Sequence, residues 1–440
     1  MTTLAPLQAV TAGRRRSPRD AGIDLVRAVC LAIVVALHSL MVGVSLGSNG
    51  PVFENAAEGH AWFIPVSFFV QVMPLFFIVG GFSTRLAYRS ARSRGTGAAG
   101  FVAGRVQRLL GPAIVMIAVV GVSLLTMTIA GIPADMVAEA GFRISQPLWF
   151  LGVYLGIQAL APAMITAHER APRITLALLA LSVIGVDVAA ATTGIGGIAL
   201  LNLGFVWLLV QQLGFWLADG QIDSLSVRAR AAIGIGALVS LIAVIAVGIY
   251  PANMYAALNP PSAALILLGI AQLAALSLAR PWLRRVAERE LVRDVASWIN
   301  ARSMTIYLWH MPLLIALAAI GLVGAMNGVL PLPDPGTGAW WATRPIWIAL
   351  AFVATALVSQ FAGRWERRAM PTPTASTRRA VIASIAGVLS AVVLLVSGIT
   401  VVTAIMSVLL MRVALATAAN PPLGGRSRYQ RVMLSTSPHA

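Results

Sequence analysis

Apolar residues arrive in runs of about twenty, separated by short stretches of which alternate ones are dense in arginine. A bilayer core about 30 Å thick is crossed by roughly 20 helical residues at a rise of about 1.5 Å each. The runs therefore predict spanning helices near 22–45, 62–84, 109–130, 147–166, 174–193, 198–218, 231–250, 262–279, 303–325, 345–363 and 381–411. That is a ten-helix core and an eleventh, C-terminal helix beyond a Pro/Thr/Ser linker, PTPTAST at 371–377. The last run is long enough for one strongly tilted helix or a re-entrant hairpin. The predicted class is an all-α polytopic membrane protein. Its layout is a cytoplasmic segment (1–19), a membrane domain (20–365), a cytoplasmic linker (366–379), one additional helix (380–412) and a disordered tail (413–440).

Composition agrees: 58% of residues are hydrophobic and 11% charged, against roughly 45–50% and 25% in soluble domains. Lysine is absent, so all 32 basic residues are arginine. This excludes a Walker A lysine, a lysine Schiff base and a Ser-x-x-Lys nucleophile pair. A net charge of +17 suggests nucleic acid, but the arginines form short clusters between apolar runs, without a long basic tract or interleaved aromatics. Positive-inside topology explains them better. With the N-terminus inside, the outer loops of the core hold only Arg143 and Arg344. Arg426, Arg428 and Arg431 conflict with this, since a single eleventh helix would put them outside. The lone Cys30 forms no intrachain disulfide, and no cleaved signal peptide is expected.

Ionisable residues inside a bilayer mark functional sites by default. In the first helix Arg27 and His38 are eleven residues apart, about three turns and roughly 16 Å along one face. Asp24, at i−3, is a natural partner for Arg27. Arg27 would lie near the cytoplasmic interface and His38 well within the bilayer, as a base or nucleophile. The plain alternative is a snorkelling arginine and a histidine that joins two helices. Arg105 and Arg108, three apart at the start of the third helix, share a face and suit a phosphate clamp. Ser303, Tyr307 and His310 put a hydroxyl, a phenol and an imidazole on one face of the ninth helix. Asp187 is the most costly of the other buried polar residues and a candidate to line a cavity. Gly152 and Gly156 form a GxxxG suited to close helix packing. GVSLG at 43–47 is expected to end a membrane helix, without the strand-turn-helix context of its motif, and GIGGIA at 194–199 to be a tight turn between two membrane helices. No HExxH, CxxC or His-x-x-x-x-Asp occurs.

GIDLVRAVCLAIVVALH at the first helix resembles the opening signature of the integral-membrane acyltransferase-3 family. QVMPLFFIVGGFS (71–83), Arg105-x-x-Arg108, QPLWFLGVYL (146–155) and SMTIYLWHMP (303–312) resemble further blocks of that family, in its order. The resemblance covers about 20–365 and implies a membrane O-acyltransferase. The donor it implies is cytoplasmic acyl-CoA, the group commonly acetyl, and the acceptor a hydroxyl of a carbohydrate or lipid-linked glycan. No cofactor is expected to be bound permanently; membrane lipids are expected partners and nucleic acid is not. Arg27, Arg105 and Arg108 would hold the donor phosphates and His38, with Tyr307 and His310, would carry the chemistry. Asp24, Ser303, Asp187 and Glu54 would serve the substrates, with Glu54 or Glu58 replacing an outer-face acidic residue that has no match here. Two readings compete: a transporter or flippase lined by the same polar groups, and a non-catalytic scaffold.

Overall fold

The computed structural model describes residues 20–47 and 50–420. The expected cytoplasmic segment 1–19 and residues 421–440 of the expected tail lie outside the described residues. Twelve helices among the described residues are long and apolar enough to cross a membrane, and the ten predicted core spans are all present in order. In sequence the elements are α1 (Ala21–Met41), a hairpin of β1 (Val42–Gly47) and β2 (Gly50–Asn55), α2 (Phe63–Val70), α3 (Met73–Ser93), α4 (Ala98–Ile129) and α5 (Ala134–Ser145). Next come α6 (Trp149–Arg170), α7 (Pro172–Thr193), the short α8 (Gly196–Ala199), α9 (Asn202–Ala218), α10 (Val227–Ala246) and α11 (Ala263–Ala287). The last are α12 (Glu290–Asn300), α13 (Ser303–Met326), α14 (Gly338–Glu366), α15 (Thr377–Ser397) and α16 (Val401–Ala418). The protein is an integral, multi-pass membrane protein.

Helix α1 starts where Asp20 caps it, accepting hydrogen bonds from the Gly22 and Ile23 amides at 3.1 and 3.2 Å. The same carboxylate ties α1 to α11 through Arg280 and Arg284, each at 2.7 Å. Burial pushes the Asp20 carboxyl up, but hydrogen bonds from Arg284 and Arg280 outweigh it and hold the group at about 2. The helix ends earlier than its hydrophobicity suggests. Val42–Gly47 turns into an antiparallel hairpin with Gly50–Asn55, Val42 facing Asn55. The β-branched, Gly-rich sequence VGVSLG favours that turn to strand. His38 therefore sits in the last turn of α1, near the face opposite the arginines, and not deep in a longer helix.

The second predicted span is broken at Gln71–Val72, between α2 and α3, with Pro74 in the first turn of α3. Broken backbone at membrane depth is tolerated where protein or a cavity surrounds it. Here the Gln71 side chain donates to the Met254 carbonyl at 3.0 Å, and the Gln71 carbonyl accepts from Gln272 of α11 at 2.8 Å. Helices α3 and α9 cross at backbone contact: a Cβ on Gly81 would stand 2.3 Å from the Gln211 carbonyl oxygen, and one on Gly214 2.1 Å from that of Ile78. Only glycine allows this approach, which locks the wall of α3 that faces the site.

The C-terminal run corrects the sequence reading. It is two helices, α15 and α16, broken at Gly398, whose φ of +69° a β-carbon would strain. The turn docks on α5, with the Ile399 amide donating to the Gly141 carbonyl at 3.2 Å. Helix α15 packs on the GxxxG face of α6, Ala391 meeting Gly152 and Val388 meeting Gly156. With the extra span, Asn420 ends beside the linker: its amide donates to the Thr372 carbonyl at 2.8 Å. The described chain thus finishes on the arginine-rich face, whereas a single eleventh helix would have ended it on the opposite one.

Candidate active site

A cavity of about 840 Å³ runs through the bundle. At the arginine-rich end it is bordered by Asp24, Arg27, Arg105, Arg108, Arg293 and Glu366; its middle by Trp149, Phe150, Tyr154 and Tyr307; its far end by His38, Gln71, Tyr255 and Leu258. The broken α2–α3 segment, α1, α4, α6 and α13 supply the walls. Along α1 the two polar ends, Arg27 and His38, are separated by about 16 Å.

At the far end His38 stacks obliquely on His310, ring centroids 5.0 Å apart. The geometry fixes the protons. His310 Nδ1 lies 2.6 Å from the Tyr307 carbonyl oxygen, which only accepts, so Nδ1 carries the hydrogen. In the neutral ring Nε2 is then an acceptor, and it lies 3.1 Å from His38 Nδ1. His38 therefore donates from Nδ1, and its Nε2 keeps a lone pair on a ring that lines the cavity. His310 is fully buried behind it and does not border the cavity. Tyr307 does, yet its hydroxyl donates to the Pro147 carbonyl at 2.6 Å and so braces α13 against the turn before α6. In the loop at the far mouth, burial together with nearby Glu58 pushes the Tyr255 phenol up to about 12. It stays a neutral donor and acceptor at physiological pH.

The opposite end gathers cations with little compensation. Arg105 lies over the Phe101 ring, 5.0 Å from its centroid, and neither it nor Arg108 makes an ion pair among the described residues. Arg27 reaches Asp24 only at 3.8 Å. Glu366 is taken up by α13: one oxygen accepts from the Met304 amide at 3.2 Å, the other from the Thr305 amide and hydroxyl at 3.0 and 2.7 Å. It caps the helix that carries Ser303, Tyr307 and His310 and forms no ion pair with Arg105 or Arg108, while Arg293 is paired with its neighbour Asp294 at 3.2 Å. Converging guanidiniums with so few carboxylate partners are suited to a polyanionic ligand.

The structure brings Asp24, Arg27, His38, Arg105, Arg108, Ser303 and Tyr307 to one cavity, with His310 against it. Asp187 and Glu54 are not among its lining residues. Asp187 joins helices: Asn202 and Tyr250 bond it at 2.7 Å each and the Ala263 amide at 2.9 Å. A carboxylate with three donors is satisfied structure and not an open cavity wall. Glu54 sits on β2 opposite Gly43. Sequence reasoning missed Gln71, Tyr255, Arg293 and Glu366. Pro74 signalled the first; the others sit in polar segments between spans, where nothing local separates a lining residue from a solvated one. Among the described residues no group of three or more His, Cys, Asp or Glu converges as a metal site would require.

A family model described as an acyltransferase domain, of the acyltransferase-3 type, matches residues 20–364. No curated protein and no solved structure matches. The matched region ends within α14, just before Glu366, and includes every residue of the cavity except that one. It favours the transferase over the transporter reading. The chain belongs to the acyltransferase-3 family and is a membrane acyltransferase.

Proposed function

We propose that the protein moves an acyl group, acetyl in the simplest case, from acyl-CoA to a hydroxyl of a carbohydrate or lipid-linked glycan. The arginine-rich face, and with it the N-terminus, is cytoplasmic by the positive-inside rule, in the plasma or inner membrane. Donor phosphates lie on Arg27, Arg105 and Arg108, and the thioester arm extends along α1 toward His38. The acceptor enters at the far mouth, past Gln71 and Tyr255.

One observation carries this reading: the His38–His310–Tyr307 chain, which leaves a lone pair on His38 Nε2 at the cavity. That nitrogen removes the acceptor hydroxyl proton as the oxygen attacks the thioester carbonyl carbon. The C–O bond forms, the C–S bond breaks, and the imidazolium returns its proton to the departing thiolate. The products are the ester and free CoA. During the step the positive charge on His38 is stabilised by the His310 lone pair, itself oriented by the Tyr307 carbonyl. This is the role that an orienting third group plays in a catalytic triad.

The test is acyl-CoA turnover by purified protein with acceptor present. His38→Gln is expected to lower kcat by about 10²- to 10⁴-fold, the usual worth of a general base, with donor affinity unchanged. Wild-type turnover in that variant would overturn the mechanism. His310→Gln is expected to lower kcat less and to shift its pH profile, because the positioning partner of the base is altered.

A further inference from the structure

Among the described residues two arginines lie on the face opposite the arginine-rich one, and they differ. Arg143 is paired with Glu139 one turn away, at 2.5 Å. Arg344 makes no ion pair among the described residues. Its guanidinium is held between two indoles, 4.2 Å from the Trp340 centroid and 5.3 Å from that of Trp347. Its Nε donates to the Trp340 carbonyl at 3.3 Å and one terminal nitrogen to the Thr343 hydroxyl at 3.2 Å. Both bonds are long and stay within its own helix. The second terminal nitrogen has no partner among the described residues, and a half-buried cation without an anion is costly at membrane depth.

The surroundings say which anion fits. Trp340 and Trp341 pack edge to face at 4.9 Å, and Trp341 against Trp62 at 5.1 Å. Such a cluster at helix ends marks headgroup depth. Two residues beyond Arg344, Ile346 is 68% exposed and faces outward with Leu350, so α14 presents its flank to lipid. The site also touches the chemistry, because Trp347 Nε1 donates to the Ser39 carbonyl at 2.8 Å and Ser39 follows His38.

We propose that Arg344, clamped between Trp340 and Trp347, binds the phosphate of a lipid-borne acceptor and so holds its hydroxyl-bearing headgroup at the far mouth beside His38. The anion site stands on the geometry alone; its assignment to the acceptor rests on the transfer reaction proposed above. Cation–π contact keeps the guanidinium plane fixed, and its free edge supplies directed donors to phosphate oxygens. A carbohydrate without a phosphate, or one not carried on a lipid, does not use this site.

The experiment titrates full-length protein in maltoside detergent with dodecyl phosphate, read by tryptophan fluorescence. Wild type is expected to show a saturable change, and Arg344→Gln to weaken binding at least about tenfold. Arg344→Lys, which keeps the charge but not the planar fork, is expected to fall between them. Arg143→Gln should behave as wild type. Binding by Arg344→Gln equal to wild type overturns the site. An equal response to inorganic phosphate overturns the lipid requirement. Thermal melting of each variant guards against misfolding, and acetyl-CoA affinity in the same samples reads the donor end separately, so failure of the transfer reading is seen there and not in this titration.

Discussion

Two arginine clusters lie on the same face of this protein and have opposite environments. Arg85, Arg89 and Arg92 on α3 meet Glu169 of α6 and Asp219 after α9: Arg85 binds Asp219 through two bonds of 3.1 Å and Glu169 through one of 2.6 Å. Arg89 and Arg92 add bonds to the same carboxylates, and His168 stands 3.4 Å from Asp219. Every charge there is answered within the protein. Arg27, Arg105 and Arg108, around the cavity, have one loose partner among them. Residue type and location do not separate the clusters; compensation does. A cluster satisfied by its own carboxylates holds helices together, and the one left largely uncompensated is the cluster proposed above to hold the donor's phosphates.

Substitutions should separate the two sharply. The largest effect is expected at Arg85, whose side chain is only 7% exposed. Arg85→Ala leaves two carboxylates without their main partner and should cost about 3–5 kcal/mol in thermal or denaturant unfolding, as loss of one member of a buried pair does. Next, Arg105→Gln should leave the melting temperature unchanged or raise it, since it relieves repulsion among unpaired cations, yet abolish most of the stabilisation that acetyl-CoA gives to wild type. A matching loss of stability in both variants would erase the distinction. A smaller effect is expected from salt: raising NaCl from about 50 to about 500 mM should weaken donor binding several-fold while hardly moving the melting temperature, because a charged ligand drawn from solution is screened and the buried Arg85 pairs are screened much less. The smallest is a pH effect. Burial pushes the Asp219 carboxyl up, but the hydrogen bonds from Arg85 outweigh it and hold the group below its ordinary value. Its contribution is therefore full above the ordinary carboxylate range and is lost as pH falls through the lowered folded value. Melting curves from pH 7 to about pH 3 should fall less steeply for Asp219→Asn than for wild type.

The ten core spans were legible because their signal is local: runs of about twenty apolar residues, with arginines gathered at one end. The break between α15 and α16 was not, because Gly398 interrupts a uniformly apolar run and only its left-handed backbone and its docking on Gly141 make it a turn. The early end of α1 was hidden for the same reason, since VGVSLG is apolar enough to continue a span. Among the residues that line the cavity, helical spacing puts Arg27 with His38, and Arg105 with Arg108, on common helix faces. Spacing also put Tyr307 and His310 on one face, but it does not show that one histidine buttresses the other. That depends on α1 and α13 meeting, 272 residues apart in sequence. Asp187 misled because burial and cost are the same for a carboxylate that joins helices and one that lines a cavity; the three donors that distinguish them come from distant segments.

The most direct test is calorimetric titration of acetyl-CoA into the full-length protein, compared with Arg105→Gln and Arg89→Gln. Wild type and Arg89→Gln should bind with the same affinity and Arg105→Gln at least about tenfold more weakly, the worth of a charge-assisted contact. Equal binding by all three, or an equal loss in both variants, would contradict the assignment of the uncompensated arginines to the donor.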